Sequence, residues 1–339
     1  MKLVTLREEL TSQPLASDFL QLEVPIPDCP ENGILVRVVH LSLDPYIGSR
    51  LRGRHMGEAP PAPGKEPIPG AIVGQVVKSN ALGISQGDWV QSMEGGWQEF
   101  AALKTGEFRK IDPTMAPLAS HAGVLGMPGL TAWAGITQLA KVGEGDTVLV
   151  DAAAGPVGGT VGQIARIKGA KRVVGIAGGA EKCAIVTDTY GFDVCIDYKV
   201  EGWEDRLKQA LPDGLSVFFE NVSADMAMVA LANARTYARG VLCGLAAGYQ
   251  VQSQDRVPNP LPMGTIIGKR AQLLGLVVYD FYPRWDEFVN EASSWITEGK
   301  LAFAEDRVEG LENAPALFEQ LMNGKNRGKA VVTVSPEKA

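Results

Sequence analysis

The chain has 339 residues, of which 45% are hydrophobic and 21% are charged, and its formal net charge is -7. This length exceeds what one compact core usually accommodates, so we expect about two domains. The negative charge argues against a nucleic-acid or anionic-membrane surface, because either needs a basic footprint. No apolar run reaches the length of a membrane span, and the N-terminal stretch lacks the apolar region of a secretory signal.

Cysteine and histidine usage bears on compartment and on metals. The four cysteines form no short-spaced pair: Cys29, Cys183, Cys195 and Cys243. This scatter fits reduced thiols in the cytoplasm better than a disulfide framework. None of the three histidines (His40, His55, His121) lies within a few residues of a cysteine. We therefore expect no zinc site, because local ligand spacing is absent.

Residues 20–111 carry short, valine-rich apolar segments separated by Gly, Pro or Asn, for example at 33–39, 71–77 and 88–93. That texture predicts an all-β unit, either a small barrel or a sandwich. Between these segments, residues 52–64 are rich in Pro and Gly. We expect no regular structure there.

From about residue 124 the pattern becomes an alternation of strand and helix. Near-continuous apolar runs stand at 147–150, 172–176, 194–197, 216–219 and 241–244, and most are separated by helix-length segments. Such alternation predicts a parallel sheet covered by helices on both faces. A further strand at 272–279, an amphipathic helix at 313–322 and a last strand at 330–334 follow.

The turn after the first of these runs resembles a dinucleotide-binding glycine fingerprint. Its three small positions are Ala153, Gly155 and Gly158, and alanine suits the first if its φ stays negative. Pro156 favours a helix start there. The positive end of that helix would attract a pyrophosphate. The alternative is a glycine-rich turn that needs small residues only for packing.

The residues after the second strand indicate which dinucleotide binds. An NAD site would place an acid there for the ribose 2′-hydroxyl, but this chain has Ala-Gly-Gly-Ala at 177–180. Lys182 follows in the predicted first turn of the next helix, where a lysine opposes the helix dipole. A lysine beside a 2′-phosphate explains this choice, although it could also be a solvated surface residue. We predict NADPH as the cofactor.

Several motifs resemble the medium-chain dehydrogenase/reductase superfamily, specifically its zinc-independent enone reductases. They are Leu-Ser-Leu-Asp-Pro-Tyr at 41–46, Ala-Gly-Pro-Val-Gly at 154–158, Ala-Gly-Gly-Ala-Glu-Lys-Cys at 177–183, Glu-Asn-Val at 220–222 and Asn-Gly-Lys-Asn-Arg-Gly-Lys at 323–329. The resemblance implies an α/β fold with a doubly wound Rossmann sheet inserted in a GroES-like β-barrel catalytic domain. It implies boundaries at 1–123 and 304–339 for the catalytic domain and 124–303 for the NADP(H) domain, and it implies a homodimer.

The resemblance also assigns site residues. Lys182 and Tyr198 would face the adenosine 2′-phosphate, and Asn221 would approach the nicotinamide. The remaining cofactor positions are Gly155, Pro156, Val157, Gly158, Gly179, Cys243, Gly244, Tyr249, Val278 and Asn326.

The implied chemistry is NADPH-dependent reduction of a carbon–carbon double bond conjugated to a carbonyl in an enone or enal. Such a site needs a hydrogen-bond donor to the carbonyl oxygen and a proton for the α-carbon. The resemblance favours Tyr279, then Tyr46, with Tyr282 a local rival and water a further proton donor. At 47–50 this chain has Ile-Gly-Ser-Arg where the family often has Met-Arg-Gly-Arg.

Two other functions remain open from the sequence. The first is an alcohol dehydrogenase or ketone reductase, although the local zinc-ligand pattern of that group is absent. The second is a non-catalytic NADPH-binding protein on the same scaffold.

Overall fold

The computed structural model describes residues 1–248 and 262–337. Within them the chain forms strands β1 (Lys2–Leu6), β2 (Phe19–Glu23), β3 (Gly33–Ser42), β4 (Ile72–Ser79), β5 (Trp89–Ser92), β6 (Phe100–Lys104), β7 (Phe108–Ile111), β8 (Thr147–Val150), β9 (Arg172–Ala177), β10 (Val194–Asp197), β11 (Leu215–Glu220), β12 (Ala234–Leu242), β13 (Gln272–Gly275), β14 (Glu305–Glu309) and β15 (Lys329–Thr333).

The helices of these residues are α1 (Tyr46–Arg50), α2 (Met127–Trp133), α3 (Pro156–Ile167), α4 (Ala180–Ala184), α5 (Trp203–Ala210), α6 (Ala224–Ala232), α7 (Met263–Lys269), α8 (Trp285–Thr297) and α9 (Ala314–Met322). Shorter 3-10 turns cover Ala16–Asp18, Leu118–Ala122, Val278–Arg284 and Leu311–Asn313, and π-helical turns cover Ala134–Leu139 and Ile185–Thr189. The described residues divide into two compact units, the first at 1–123 and 305–337 and the second at 124–248 and 262–304.

The sheet of the second unit has the strand order β10-β9-β8-β11-β12-β13. Every neighbouring pair in it is parallel. Counted from β8, this is the order 3-2-1-4-5-6 of the dinucleotide-binding α/β fold. The predicted Rossmann sheet is therefore confirmed, and its strand order reverses between β8 and β11.

Two predicted strand boundaries in this sheet are wrong. The run at 241–244 overlaps only the last two residues of β12, which spans Ala234–Leu242. The first half of that strand, Ala-Arg-Thr-Tyr-Ala, is not an apolar run and therefore gave no signal. The strand predicted at 272–279 ends at Gly275. It pairs with β12 only as far as Leu242, and Tyr279 lies in a 3-10 turn instead.

The first unit contains a sheet of order β14-β15-β3-β4-β5-β7, with β6 beside β3. Its pairs are antiparallel except β14 with β15. This agrees with the predicted β texture of the N-terminal third, and the fold class is confirmed. The C-terminal tail completes the unit, because Val331 of β15 pairs with Ser42 of β3.

Aromatic packing fixes the core of the first unit. The rings of Phe19 and Trp97 stack at 5.4 Å, and Phe318 of α9 packs edge-on against Trp97 at 5.4 Å. All three side chains are buried. Burying aromatic side chains of this size contributes strongly to stability, so α9 is an integral part of this unit.

Candidate cofactor and active site

The second unit presents a helix N-terminus at the carboxyl end of its central strand. β8 ends at Val150 and α3 begins at Pro156, with Gly155 preceding the helix and no side-chain cap on it. A Cβ built on Gly155 would meet only the Ala152 carbonyl oxygen, at 3.2 Å. The first backbone N–H groups of α3 are therefore accessible to an anion that approaches past this glycine.

The first fingerprint position meets the requirement set by the sequence. The residue with a positive φ is Ala152 (φ 44°), and Ala153 is not among such residues. Ala153 is fully buried, and its Cβ lies 2.9 Å from the position that a Cβ on Gly175 of β9 would take. An alanine fits at 153 because the neighbouring strand carries a glycine opposite it.

Gly158 serves the packing of α3. A Cβ on Gly158 would lie 2.5 Å from the Ala152 carbonyl oxygen and 2.9 Å from the Ala153 Cα. Any side chain there would push the helix away from the turn. Pro156 and Val157 occupy the first two helical positions and are half-buried.

The turn after β9 brings together two cations, a phenol and two glycines. Gly179 has a φ of 103° and precedes α4, on which Lys182 is the third residue. A Cβ on Gly178 would lie 2.9 Å from the Tyr198 hydroxyl and 3.0 Å from the Lys199 Cε. The predicted residues Gly179 and Tyr198 thus lie at one turn, and Lys182 follows Gly179 on α4. Lys199 lies at this turn too, although the sequence did not single it out.

A carboxylate supports this turn from the next strand. Asp197 Oδ1 accepts hydrogen bonds from the backbone N–H of Gly179 at 2.8 Å and of Lys199 at 3.0 Å. These donors, Gly179 first, hold the pKa of Asp197 below its usual range. The Asp197 carboxylate is therefore hydrogen-bonded to the backbone, whereas the side chains of Tyr198 and Lys199 are exposed.

Two buried carboxyl groups meet where the strand order reverses. Val150 of β8 is in register with Phe219 of β11, so Asp151 and Glu220 follow side by side, each 4% exposed. Burial, and then the Glu220 carboxyl, raise the pKa of Asp151 well above its usual range. Asn221 is tied to this pair, because its backbone N–H donates to Asp151 Oδ1 at 2.7 Å.

The end of β12 reaches the same edge of the sheet. The backbone N–H groups of Cys243 and Gly244 donate to the Glu220 carbonyl oxygen at 2.9 and 3.2 Å. Burial, and then the charges of Asp151 and Glu220, raise the pKa of the Cys243 thiol to about 12. Cys243 is therefore a neutral thiol, and a Cβ on Gly244 would lie 2.8 Å from the Asn221 carbonyl oxygen.

The candidate catalytic tyrosine of the second unit lies in an aromatic group. Val278 and Tyr279 open the 3-10 turn after β13, and both are half-buried. The rings of Tyr279 and Tyr282 meet edge-on at 5.4 Å, and Tyr282 contacts Trp285 at 5.1 Å. Tyr282 is thus packed between the rings of Tyr279 and Trp285.

Tyr46, the other candidate, lies in the first unit at the start of α1. Its ring centroid is 4.9 Å from that of His55. Burial lowers the pKa of His55, so a neutral imidazole accompanies the phenol near neutral pH. Two residues before Tyr46, Asp44 forms a buried ion pair with Lys329, with Nζ 3.2 Å from Oδ1.

An arginine near Tyr46 was not singled out from the sequence. Arg52 Nε donates to the Gly48 carbonyl oxygen at 2.9 Å, while its two terminal nitrogens are buried and have no acceptor in the part of the chain described. Burial, and then the charge of Arg54, lower the pKa of Arg52. Gly48 is the position where the family often has arginine, so Arg52 places a guanidinium close to that backbone position.

The remaining predicted positions are simpler to place. Asn326 precedes β15, and its side-chain amide donates to the Gly328 carbonyl oxygen at 2.8 Å. Tyr249 lies outside the described residues. Within 1–248 and 262–337 there is no group of three or more His, Cys, Asp or Glu side chains that could hold a metal ion. No helix in those ranges is long and apolar enough to cross a membrane.

Comparison with known proteins places the chain in a family. Residues 2–111 match the family model described as the N-terminal domain of oxidoreductase, and residues 156–296 match that of the zinc-binding dehydrogenases. The NADPH-dependent curcumin reductase of Escherichia coli is 38% identical over 95% of this chain and 93% of its own length. This chain belongs to the zinc-independent enone reductases of the medium-chain dehydrogenase/reductase superfamily.

Further relatives support this family assignment. The NADP(+)-dependent 2-alkenal reductase of Nicotiana tabacum is 36% identical over 99% of this chain and 98% of its own length. The crystal structure of CurA from Vibrio vulnificus in complex with NADPH superposes with a TM-score of 0.91. It is 36% identical and covers 99% of this chain and 100% of its own. The family predicted from the motifs is confirmed.

Proposed function

We propose that this protein reduces the carbon–carbon double bond of α,β-unsaturated ketones or aldehydes with NADPH, adding hydride to the β-carbon. It is an NADP-dependent oxidoreductase, as its relatives named for curcumin and 2-alkenal reduction indicate. The cofactor assignment is supported by an uncapped α3 N-terminus together with the turn after β9, where Tyr198 and Lys199 pack against Gly178 and Lys182 follows on α4.

The described residues fit NADPH. Gly155, Val157 and Gly158 would hold the pyrophosphate through the N–H groups of α3, because Gly155 leaves the approach free of a side chain. Lys182, Tyr198 and Lys199 would hold the adenosine 2′-phosphate through two cations and a hydroxyl donor. When bound, NADPH supplies the hydride. We assign the second unit as the cofactor domain and the first as the catalytic domain.

The substrate carbonyl needs a donor as negative charge develops on its oxygen. A tyrosine hydroxyl donates without carrying charge at neutral pH. Tyr279 is our first choice, and its half-buried position suits a hydroxyl that must reach a ligand. Tyr46 is the second choice, and water is a further source of the proton on the α-carbon.

NADPH oxidation followed by absorbance tests this proposal and its two rivals. An enone and the matching saturated ketone are each incubated with wild-type protein, Tyr279→Phe and Tyr46→Phe. We expect oxidation with the enone alone, and a fall of about 10²- to 10⁴-fold in kcat when the proton-donating tyrosine is lost. Oxidation with the ketone would instead indicate a ketone reductase. NADPH binding without any turnover would indicate a non-catalytic protein.

We also infer that the enzyme forms a homodimer through the second unit. β13 is the edge strand of its sheet, and Tyr237, Met263 and Ile267 close to that edge are 55–70% exposed. A concentrated apolar surface of this kind is typical of a protein interface. Sedimentation equilibrium of Ile267→Glu should show dissociation. The matched control is Leu82→Glu, at a fully exposed leucine of the first unit.

The four free thiols are consistent with a cytoplasmic location, which we propose for the protein. Fractionation of cells expressing the tagged full chain would test it.

A further inference from the structure

The carboxyl pair at the strand reversal controls the orientation of one side chain. Asn221 directs its Nδ2 to Asp151, at 3.2 Å from Oδ1 and 3.3 Å from the backbone carbonyl oxygen. Asp151 Oδ1 also accepts the Asn221 backbone N–H at 2.7 Å, so that oxygen acts as an acceptor. Both neighbours of the amide are therefore acceptors, and only its NH₂ end can face them.

This arrangement decides what Asn221 offers to a ligand. Its NH₂ group is used within the protein, and the opposite end of the amide is a carbonyl oxygen that can only accept a hydrogen bond. The residue is half-buried, so it is not enclosed by the strand ends. A ligand group that meets this side chain must supply a donor. The carboxamide of the nicotinamide ring carries such an N–H donor.

We propose that Asp151 is a positioning residue, whose carboxyl group fixes the Asn221 amide so that its carbonyl oxygen receives the carboxamide N–H of NADPH. This inference rests on the proposed function, which brings the nicotinamide to Asn221. Asp151 itself touches neither cofactor nor substrate in this scheme. It disfavours the flipped orientation of the amide, in which the side-chain oxygen of Asn221 would face two hydrogen-bond acceptors.

Glu220 is the second carboxyl group of the pair. Its Oε1 accepts the backbone N–H groups of Val222, at 2.7 Å, and of Ser223. The loop that carries Asn221 is therefore tied to both carboxyl groups. Ser223 in turn caps α6 by accepting the Met226 N–H at 3.3 Å. The groups that face the pair are Asn221 on the loop after β11 and the Cys243 thiol from β12.

The two carboxyl groups are buried side by side, so the state in which both are charged is disfavoured. Burial raises the pKa of Glu220, as burial and its neighbour raise the pKa of Asp151. When both groups have lost their protons, two negative charges lie buried side by side, and their repulsion opposes the loop conformation that both carboxyl groups hold. The preference for a carboxamide-bearing cofactor should therefore weaken as pH rises through this deprotonation.

Cofactor binding, measured by calorimetry without turnover, tests the proposal. NADP⁺ is compared with its 3-acetylpyridine analogue, whose acetyl group has no N–H donor. The wild-type protein should bind NADP⁺ about tenfold more tightly than the analogue. Asp151→Ala should reduce this difference, because only the backbone carbonyl oxygen of residue 151 then remains to hold the Asn221 amide. Asp151→Asn should keep most of the difference, because its Oδ1 still accepts the Asn221 donors. Asp151→Asn should also remove the decline with rising pH, since no second carboxylate forms beside Glu220.

Three results would overturn it. One is equal binding of the two cofactors by the wild-type protein, and another is an equal loss for both cofactors in Asp151→Ala. The third is a decline with rising pH that persists in Asp151→Asn. Asp146→Asn is the matched control near the opposite end of β8, where the carboxylate accepts the Gly143 N–H and pairs with Arg239. That variant should leave the ratio unchanged. Failure of the wild-type protein to bind either cofactor would count against the proposed function itself.

Discussion

The Cβ of Ala153 on the turn after β8 occupies the space left by the missing side chain of Gly175 on β9. A Cβ on Gly175 would lie 2.9 Å from the Ala153 Cβ, 2.8 Å from Val186 and 3.1 Å from Phe192. The two positions are thus coupled through one contact. The turn that precedes α3, where we propose the pyrophosphate binds, depends on this pair of small residues.

Gly175→Ala should therefore destabilise the protein by about 1–3 kcal/mol, because overpacking a filled interior displaces its neighbours. The double variant Ala153→Gly/Gly175→Ala removes one of the three close contacts and should recover part of the loss. Chemical denaturation of the wild-type protein, the two single variants and the double variant gives the free energies of a double-mutant cycle. Strict additivity of the two single changes would show that the contact carries no energy.

The parallel sheet of the second unit could be predicted because its central strands, such as β8, are buried and read as continuous apolar runs. Strand ends were harder to predict. β13 ends where its partner β12 ends, at Leu242, and no local feature of the run at 272–279 signals this. Lys199 was missed for a similar reason, since only the packing of Tyr198 and Lys199 on Gly178 brings it to the turn after β9. The interest of Arg52 could not be predicted either, because it depends on the burial of its terminal nitrogens.

Lys182 and Lys199 should together determine the preference for NADPH over NADH. Each contributes one positive charge beside the site proposed for the 2′-phosphate. A charge-assisted hydrogen bond contributes about 1.5–3 kcal/mol, so losing one should raise the KM for NADPH by about 10- to 100-fold. Steady-state kinetics of Lys182→Ala and Lys199→Ala with both cofactors measure this, and the KM for NADH should stay unchanged.

Lys208→Ala provides the matched control for that experiment. Lys208 is an exposed lysine in the last turn of α5, so its loss changes the net charge of the same unit equally. If this variant raised the KM for NADPH as much as the other two, general electrostatic attraction would explain the effect. A loss of affinity shared by NADPH and NADH would likewise contradict a 2′-phosphate site.

Arg52 should favour enones that carry a carboxylate. Its terminal nitrogens are buried without an acceptor in the described residues, and a guanidinium binds a carboxylate through two parallel hydrogen bonds. The wild-type kcat/KM should be higher for an enone carboxylate than for its methyl ester. Arg52→Gln should reduce that ratio by about tenfold or more. Arg7→Gln, at an exposed arginine of the same unit, should leave the ratio unchanged, and an equal fall in both variants would contradict the prediction.

His121 should make stability decline in mild acid. The side chain is 1% exposed, and neither ring nitrogen has a hydrogen-bond partner within the described ranges. Burial, and then the charge of Arg109, lower the pKa of His121 to about 4. Above pH ~6.5 the imidazole is neutral in both folded and unfolded chains, so it causes no pH dependence there. Between about pH 6.5 and 4 only the unfolded chain binds the proton, which lowers the free energy of unfolding by up to about 3 kcal/mol.

His121→Leu removes this titration and leaves no unpaired ring nitrogen in the interior. Urea denaturation of the wild-type protein and the variant from pH 8 to pH 5 gives the difference in stability at each pH. As the pH falls below ~6.5, we expect the free energy of unfolding of the variant to rise steadily relative to that of the wild-type protein, because only the wild-type unfolded state takes up the extra proton. A difference that stays constant across this range would show that His121 titrates alike in both states. The slope of that difference, rather than its absolute value, isolates the histidine, since loss of its packing contacts shifts every pH equally.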